Sequence, residues 1–294
     1  MPSPIRHRFI AIDEGLGALL HIDERDPAAQ WLVPIGQPQA RDMQLVGHHR
    51  LLISHHHGFA EFDIRTGQKL SDFTALEGVT AARRQPDGAT LVAGVNLAGE
   101  TGVTLLTLSP APENKILRRA TYGGDYVRLI RQTTPDTCLF MCDSRVRLAN
   151  TTGAYLADYP VSGFQHTWKA LRLPDGRILA SAGYGAFMAE LDPAGKLLRT
   201  FGSRDQVPPE VSPFFYAMFQ LLPNGNIVVA NWQGHGPDNG NKGVQLLEFT
   251  PAGRLVWQWR QPPALVSSLQ GLIILDDLDT ARLHDERSGV MAPL

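Results

Sequence analysis

The chain has 294 residues, 43% of them hydrophobic and 19% charged, with 27 Lys and Arg against 29 Asp and Glu for a net charge of −2. That balance supports a sizeable core and offers no basic footprint for nucleic acid or for an anionic membrane surface, so the expected partner is a small molecule or another protein. No window approaches eighteen uninterrupted apolar residues, and MPSPIRHRF has no apolar stretch after its basic residues, so neither a membrane span nor a secretory signal is expected and the cytoplasm is the expected location.

In chain order, residues 8–36, RFIAIDEGLGALLHIDERDPAAQWLVPIG, carry three strand signals. Residues 41–76 form a longer unit in which MQLVGHHRLLISHHH and FAEFDIRTGQKLSDF give four short apolar runs separated by turn residues. The same order recurs at 79–121 (RRQPDGATLVAGVN, VTLLTLSPAPENKILRR) and at 126–160 (RLIRQTTPDTCLFMCDS, RLANTTGAYLADY). It is clearest at 167–202 (LRLPDGRILASAGYGAFMAELDPAGKLLRTF) and 215–260 (FQLLPNGNIVVANWQ, VQLLEFTPAGRLVWQW). Pro-Asp-Gly and Pro-Ala-Gly suit tight turns because Pro presets φ at the second turn position and Gly accepts φ > 0. The second strands begin near Arg50, Thr90, Thr137, Arg177 and Asn226, at intervals of 40, 47, 40 and 49 residues. Such a period with four strands per unit indicates a β-propeller.

Residues 267–279, SSLQGLIILDDLD, read as a first strand with nothing after it to complete a blade, whereas residues 8–36 lack a first strand. Joined, they make one composite blade, and the chain is predicted to be an all-β, six-bladed propeller forming a single domain. Closure leaves no open sheet edge, which fits a monomer or a homodimer. A seventh, degenerate blade is the lesser alternative, hidden in the irregular stretches 122–126 and 202–215. Cys138 and Cys142 lie four apart in CLFMC and read as buried small side chains. The tail DTARLHDERSGVMAPL reads as a surface extension of little functional weight. The insertion from Gln233 to Gly243 lengthens a loop with Gly, Asn and Pro, and such loops on a rigid scaffold are where function tends to sit.

In a propeller the chain enters each first strand and leaves each second strand on one face of the disc, near its axis. Entering are Arg41 and Asp42, Thr80, Asp125 and Tyr126, His166 with Trp168 and Lys169, Phe215 and Tyr216, and Ser268 with Gln270. Leaving are Asp13 and Glu14, His55 with His56 and His57, Asn96, Asp143 with Arg145, Tyr184, and Asn231 with Trp232 and His235. A ring this rich in ionisable and aromatic groups indicates a small-molecule pocket.

On a strand, SHHHGF would put His55 and His57 on one face and His56 on the other. Imidazoles of His56, His57, His166 and His235 converging with Gln270 and Glu14 would suit Zn²⁺, Mn²⁺ or Fe²⁺. Without a metal, His57, His166, His235 and Tyr184 supply acid–base groups that work near neutral pH. Arg41, Lys169 and Arg145 would orient an acidic group on a substrate, with Asp42, Asn96 and Asp143 as further polar contacts. Trp168, Tyr184, Tyr216 and Trp232 would stack on a sugar ring or another planar ligand. No nucleophile elbow, no GxxxxGK[ST] and no GxGxxG after a strand is present, which disfavours triad acyl transfer, nucleotide hydrolysis and hydride transfer.

The repeats LPDGRILASAGYGAFMAELDPAGKLLRTF and LLPNGNIVVANWQ with LLEFTPAGRLVWQW resemble blades of the broad quinoprotein-like and arylsulfotransferase-like propeller group, also seen in NHL-type repeats. The resemblance implies the fold. It implies no single activity, because that group spans quinone-dependent dehydrogenases, sulfotransferases, lyases, lactonases and interaction scaffolds. Quinoprotein dehydrogenases resemble one another in eight blades, each with a tryptophan docking motif, and this chain has only VWQW in that style, so pyrroloquinoline quinone is not expected. Glu14, Asn96 and Asp143 match by position the calcium residues of gluconolactonase-like enzymes, although a histidine-rich mouth suits Ca²⁺ poorly. His56 or His57, His166, His235 and Gln270 resemble, by residue type, the metal set of some propeller oligosaccharide lyases. The expected function is lyase or hydrolase chemistry, metal-assisted or acid–base, on a small polar compound that is carbohydrate-derived or carboxylate-bearing. The alternative is a non-catalytic propeller that binds a protein or small ligand through the same face.

Overall fold

The computed structural model describes residues 5–294. Six four-stranded antiparallel sheets form a ring, and each repeat becomes a blade. Blade 1 runs Met43–Leu45, Arg50–His55, Gly58–Asp63, Lys69–Phe73, and blade 2 runs Val79–Arg84, Thr90–Val95, Val103–Leu108, Ile116–Tyr122. Blade 3 is Ile130–Thr134, Thr137–Cys142, Arg145–Asn150, Tyr155–Pro160; blade 4 is Ala170–Arg172, Ile178–Ser181, Met188–Leu191, Leu197–Phe201. Blade 5 is Phe215–Leu221, Ile227–Trp232, Leu246–Phe249, Leu255–Trp259. The sixth blade is the composite: Leu269–Ile274 pairs with Arg8–Asp13, which is followed by Ala18–Asp23 and Trp31–Pro34. The second strands start within one residue of the positions the repeat predicts. Residues 123–126 and 202–214 add no strand, and the described residues contain no seventh blade.

Burial explains why the inner strands read as unbroken apolar runs rather than as alternating ones. Blades pack face to face, so the second and third strands are covered on both sides, as in Thr90–Val95 and Gly58–Asp63. Fourth strands reach the rim and expose much of their length, as in Lys69–Phe73. The two cysteines are buried and unpaired, and burial pushes the Cys138 and Cys142 thiols up to about 12 and about 11.

First strands surround the axis, and each blade contributes a long buried polar side chain from its first strand or the residue just before it: Gln44, Arg83, Arg131, Lys169, Gln220 and Gln270. Buried polar groups need partners. Several come from the tail, which is not the surface extension its composition suggested. The N–H groups of His48 and His49 donate to the carbonyls of Ala281 and Thr280 at 2.9 Å, and Leu283 bridges Val46. His284–Asp285 pairs with Ala292–Pro293, and Arg287 donates to Gln85 and Gln132. The tail thereby covers the mouth where the first strands end.

Glu286 enters the channel, 3% exposed. It accepts from Lys169 Nζ at 2.6 Å and Arg131 Nε at 2.9 Å, while Arg131 also grips Asp42 at 2.9 Å. Burial pushes the Lys169 ammonium down to about 7, with Arg131 and Arg83 repelling it and Glu286 only partly compensating. Burial would favour the neutral form of Glu286, yet the charges of Lys169, Arg131 and Arg83 hold it down at about 2.

His7 pins the seam between the composite blade and blade 5. Its Nε2 lies 3.0 Å from Glu248 Oε2, its Nδ1 lies 2.5 Å from Asp276 Oδ2, and its ring meets Trp257 edge-on at 4.7 Å. Burial disfavours the imidazolium, but the two carboxylates outweigh it and raise His7 to about 9. A raised pKa contributes stability that is complete below the unfolded value of about 6.5 and is lost as pH rises through about 9. The stability gap between the wild type and His7→Gln, measured by urea denaturation, is therefore expected to be largest near pH 6 and to shrink across that window; a gap independent of pH would refute the ion-pair role.

Candidate functional site

The opposite mouth, where the second strands end, holds a cavity of about 320 Å³. That volume lies within the range of small-molecule sites. Its lining combines four aromatic rings, two guanidiniums and two histidines.

The aromatic wall is interlocked. Phe215 meets Trp168 at 5.6 Å, Tyr184 at 4.7 Å and Trp232 at 5.3 Å, each edge to face, which fixes the rings without a ligand. Trp168 is 4% exposed, and its indole N–H has no acceptor among the described residues.

The cationic wall is Arg41 and Arg128. Arg41 Nη2 donates to Gln39 Oε1 at 3.0 Å, and Arg128 lies over the rings of Tyr126 and Trp168 at 4.9 and 5.4 Å. Arg128 Nε also donates to the Tyr126 hydroxyl. Among the described residues neither guanidinium has a carboxylate within ion-pair distance. Burial and the nearby Arg128 push Arg41 down to about 10, and burial pushes the Tyr126 phenol up to about 12.

Two histidines, His235 paired with Glu14 and His166 beside the rim residue Asp143, complete the lining. His235 Nδ1 lies 2.8 Å from Glu14 Oε1, and Glu14 Oε2 accepts from Trp232 Nε1 at 3.2 Å. His166 sits in the left-handed region at φ +55, its Nδ1 3.2 Å from Asp143 Oδ1 without hydrogen-bond geometry. Its ring packs on Tyr126 at 5.0 Å and Tyr184 at 5.7 Å.

His235 rides on the inserted loop, which Asn239 ties down by donating to the carbonyls of Gly234, His235 and Gly236 at 3.0, 2.9 and 2.7 Å. A Cβ on Gly15 would stand 2.3 Å from the Gly236 carbonyl oxygen, so only glycine there lets this loop close on Glu14.

Of the residues expected at this mouth, the structure brings Glu14, Arg41, His166, Trp168, Tyr184, Phe215, Trp232, His235 and Gln270 into one cavity. It does not bring the others. Asp42 and Lys169 are buried below it in the channel network, because in the extended segments that lead into the first strands they alternate with Arg41 and Trp168. Tyr216 is buried between blades and donates to the Gly202 carbonyl at 2.6 Å. Asn96, left-handed at φ +58, accepts from the Gly102 N–H in a turn. Arg145 turns outward to Asp158 at 2.8 Å, and Asp143 stands at the rim beside His166.

His56 and His57 depart furthest from expectation. They form the two-residue turn of a hairpin in which His55 pairs with Gly58, so strand alternation does not apply to them, and both lie outside the cavity. The six expected metal ligands are therefore split: within the cavity no three His, Asp or Glu donors among the described residues lie within 4.8 Å of one another. Arg128 was missed, although it follows Tyr126 by two residues and so shares its side of the chain.

No protein-family model and no curated protein sequence matches this chain. Solved structures do. A protein of unknown function from Bacteroides caccae is 22% identical with a TM-score of 0.71, over 92% of this chain and 98% of that one. The WD40 β-propeller domain of Doa1 (13%, TM-score 0.58, 87% and 79% covered) and streptogramin B lyase (10%, 0.54, 89% and 85%) are also similar. At these identities the likeness speaks for the propeller fold alone.

Proposed function

We propose that this cavity binds a small carboxylate-bearing compound and carries out acid–base lyase chemistry on it. The observation behind the proposal is the pair of guanidiniums without a carboxylate ion-pair partner among the described residues, set in the same rigid aromatic cavity as an imidazole oriented by Glu14. Arg41 and Arg128 hold the substrate carboxylate through charge-assisted hydrogen bonds and stabilise the negative charge that spreads onto it when the adjacent carbon loses a proton. With Nδ1–H turned to Glu14, His235 presents Nε2 as the base. It takes the proton from the carbon next to the carboxylate, the C–H electron pair becomes the C=C bond, and the leaving group on the next carbon departs with a proton from His166 or Tyr184. Exposure of His235 lets solvent remove the proton before the next turnover. The cavity's donors do not converge on one ion, so no step here uses a metal.

The test is a thermal-shift and calorimetric screen with benzoate, glucuronate and galacturonate beside their neutral counterparts benzamide and glucose. Carboxylates are expected to bind and the neutral compounds not. Arg41→Gln and Arg128→Gln are each expected to weaken binding by about 30-fold, the equivalent of about 2 kcal/mol for a charge left without its partner. Equal binding of acid and neutral compounds, or unchanged affinity in both variants, would remove the carboxylate reading. Binding that is intact but never followed by turnover would leave a non-catalytic ligand-binding propeller.

A further inference from the structure

We infer that the His56–His57 turn and Glu77 form a separate divalent transition-metal site at the turn between the second and third strands of blade 1, outside the cavity. Glu77 Oε2 lies 3.1 Å from His56 Nε2 and its Oε1 lies 3.3 Å from His57 Nδ1. One ligand atom from each of the three residues falls within 4.8 Å of the others, the one such group among the described residues. One carboxylate stands beside two imidazoles, one oxygen near each, so three donors of the kinds a transition metal takes are already gathered at one place.

The backbone builds this arrangement. The Leu76 N–H donates to the His57 carbonyl and the Val79 N–H donates to the His56 carbonyl, both at 3.0 Å, so the segment carrying Glu77 is stitched to the turn on either side of the carboxylate. The His56 N–H is held by the Pro38 carbonyl at 3.0 Å. On the far side, a Cβ on Gly58 would meet the Phe73 carbonyl oxygen at 2.0 Å, which fixes the turn against the outer strand. The two rings stand edge to face at 5.0 Å rather than splayed apart.

Two imidazoles with one carboxylate are a borderline-soft donor set, suited to Zn²⁺, Ni²⁺ or Cu²⁺ and unsuited to Ca²⁺ or Mg²⁺. Both histidines are about one-third exposed and Glu77 three-quarters exposed, which leaves coordination positions for water or an incoming ligand, as in open rather than closed structural sites. His55, the third member of the triplet, takes no part: it is buried, with Nε2 3.0 Å from Asp72 Oδ1.

The test is isothermal titration of the metal-free full chain with ZnCl₂, then with MnCl₂ and CaCl₂. One Zn²⁺ per chain is expected, with Mn²⁺ at least tenfold weaker and no Ca²⁺ uptake. Glu77→Gln is expected to weaken Zn²⁺ binding at least tenfold and His56→Ala/His57→Ala to abolish it, and Glu77→Gln is expected to keep the wild-type melting temperature without metal because that side chain is three-quarters exposed. His235→Ala should bind Zn²⁺ like the wild type. Retention of the Zn²⁺ site in the double histidine variant, its loss in His235→Ala, or no uptake by the wild type would each overturn the assignment; none of these outcomes bears on carboxylate binding in the cavity.

Discussion

Glu286→Ala is expected to lower the unfolding free energy by about 3–5 kcal/mol, the usual cost of removing one partner from a buried charge network. Glu286 faces Lys169 and Arg131 inside the channel, and Arg83 lies 3.7 Å from Asp42 in the same network. Without it, Arg83, Arg131 and Lys169 would be left with Asp42 and the more distant Asp285 as their counter-charges. At about 2–4 °C per kcal/mol for a chain of this class, the melting temperature should fall by roughly 6–20 °C. Differential scanning calorimetry would read it, and a change below about 1 kcal/mol would mean that the tail contributes little to the folded state.

The pH dependence gives a second handle. Glu286 is held at about 2, below its ordinary 4.5, so its contribution is complete above 4.5 and fades as pH falls towards 2. Lys169 acts with the opposite slope: lowered from 10.5 to about 7, it makes the unfolded chain bind more protons between those values, and stability rises with pH there. The deficit of Glu286→Ala should accordingly be full at neutral pH and vanish in strong acid.

His235→Ala should reduce turnover of a bound carboxylate by about 10²–10⁴-fold, the range for losing a positioned general base. Its side chain is 78% exposed, so folding stability should not change, and the affinity supplied by Arg41 and Arg128 should survive. Glu14→Gln should act in the same direction, because a carboxamide can present its NH₂ to Nδ1 and favour the wrong tautomer. A fall in kcat with KM held marks the base; parallel loss of binding and turnover would mark a merely structural loop contact. Turnover unchanged in His235→Ala would sink the assignment of this imidazole as base.

Propeller architecture is legible because it is periodic. Turn glycines such as Gly176 and Gly253 do adopt φ of +85 and +81, and the apolar strands between them have one consistent use. The composite blade could be read from a missing first strand at one end and a surplus one at the other. Side-chain destinations were less legible, since neighbours on one strand diverge: Arg41 reaches the cavity and Asp42 the channel, Trp168 the cavity and Lys169 the channel. A one-residue phase decides each case, and strand ends do not declare their phase. The tail was least legible. Glu286 meets partners 117 and 155 residues away, and nothing in the polar stretch HDERSG distinguishes a plug from a solvated extension.

The composite blade also sets a timetable for biosynthesis. The strand that covers Arg8–Asp13, Leu269–Ile274, is made about 250 residues after it, a delay of roughly 13–50 s at 5–20 residues per second. Until then the nascent chain carries an uncovered apolar strand edge, a natural target for holding chaperones. The cations Arg83, Arg131 and Lys169 wait longer still for Glu286. A chain cut short before those codons would have an open ring and would leave Arg131 and Lys169 without the carboxylate that faces them.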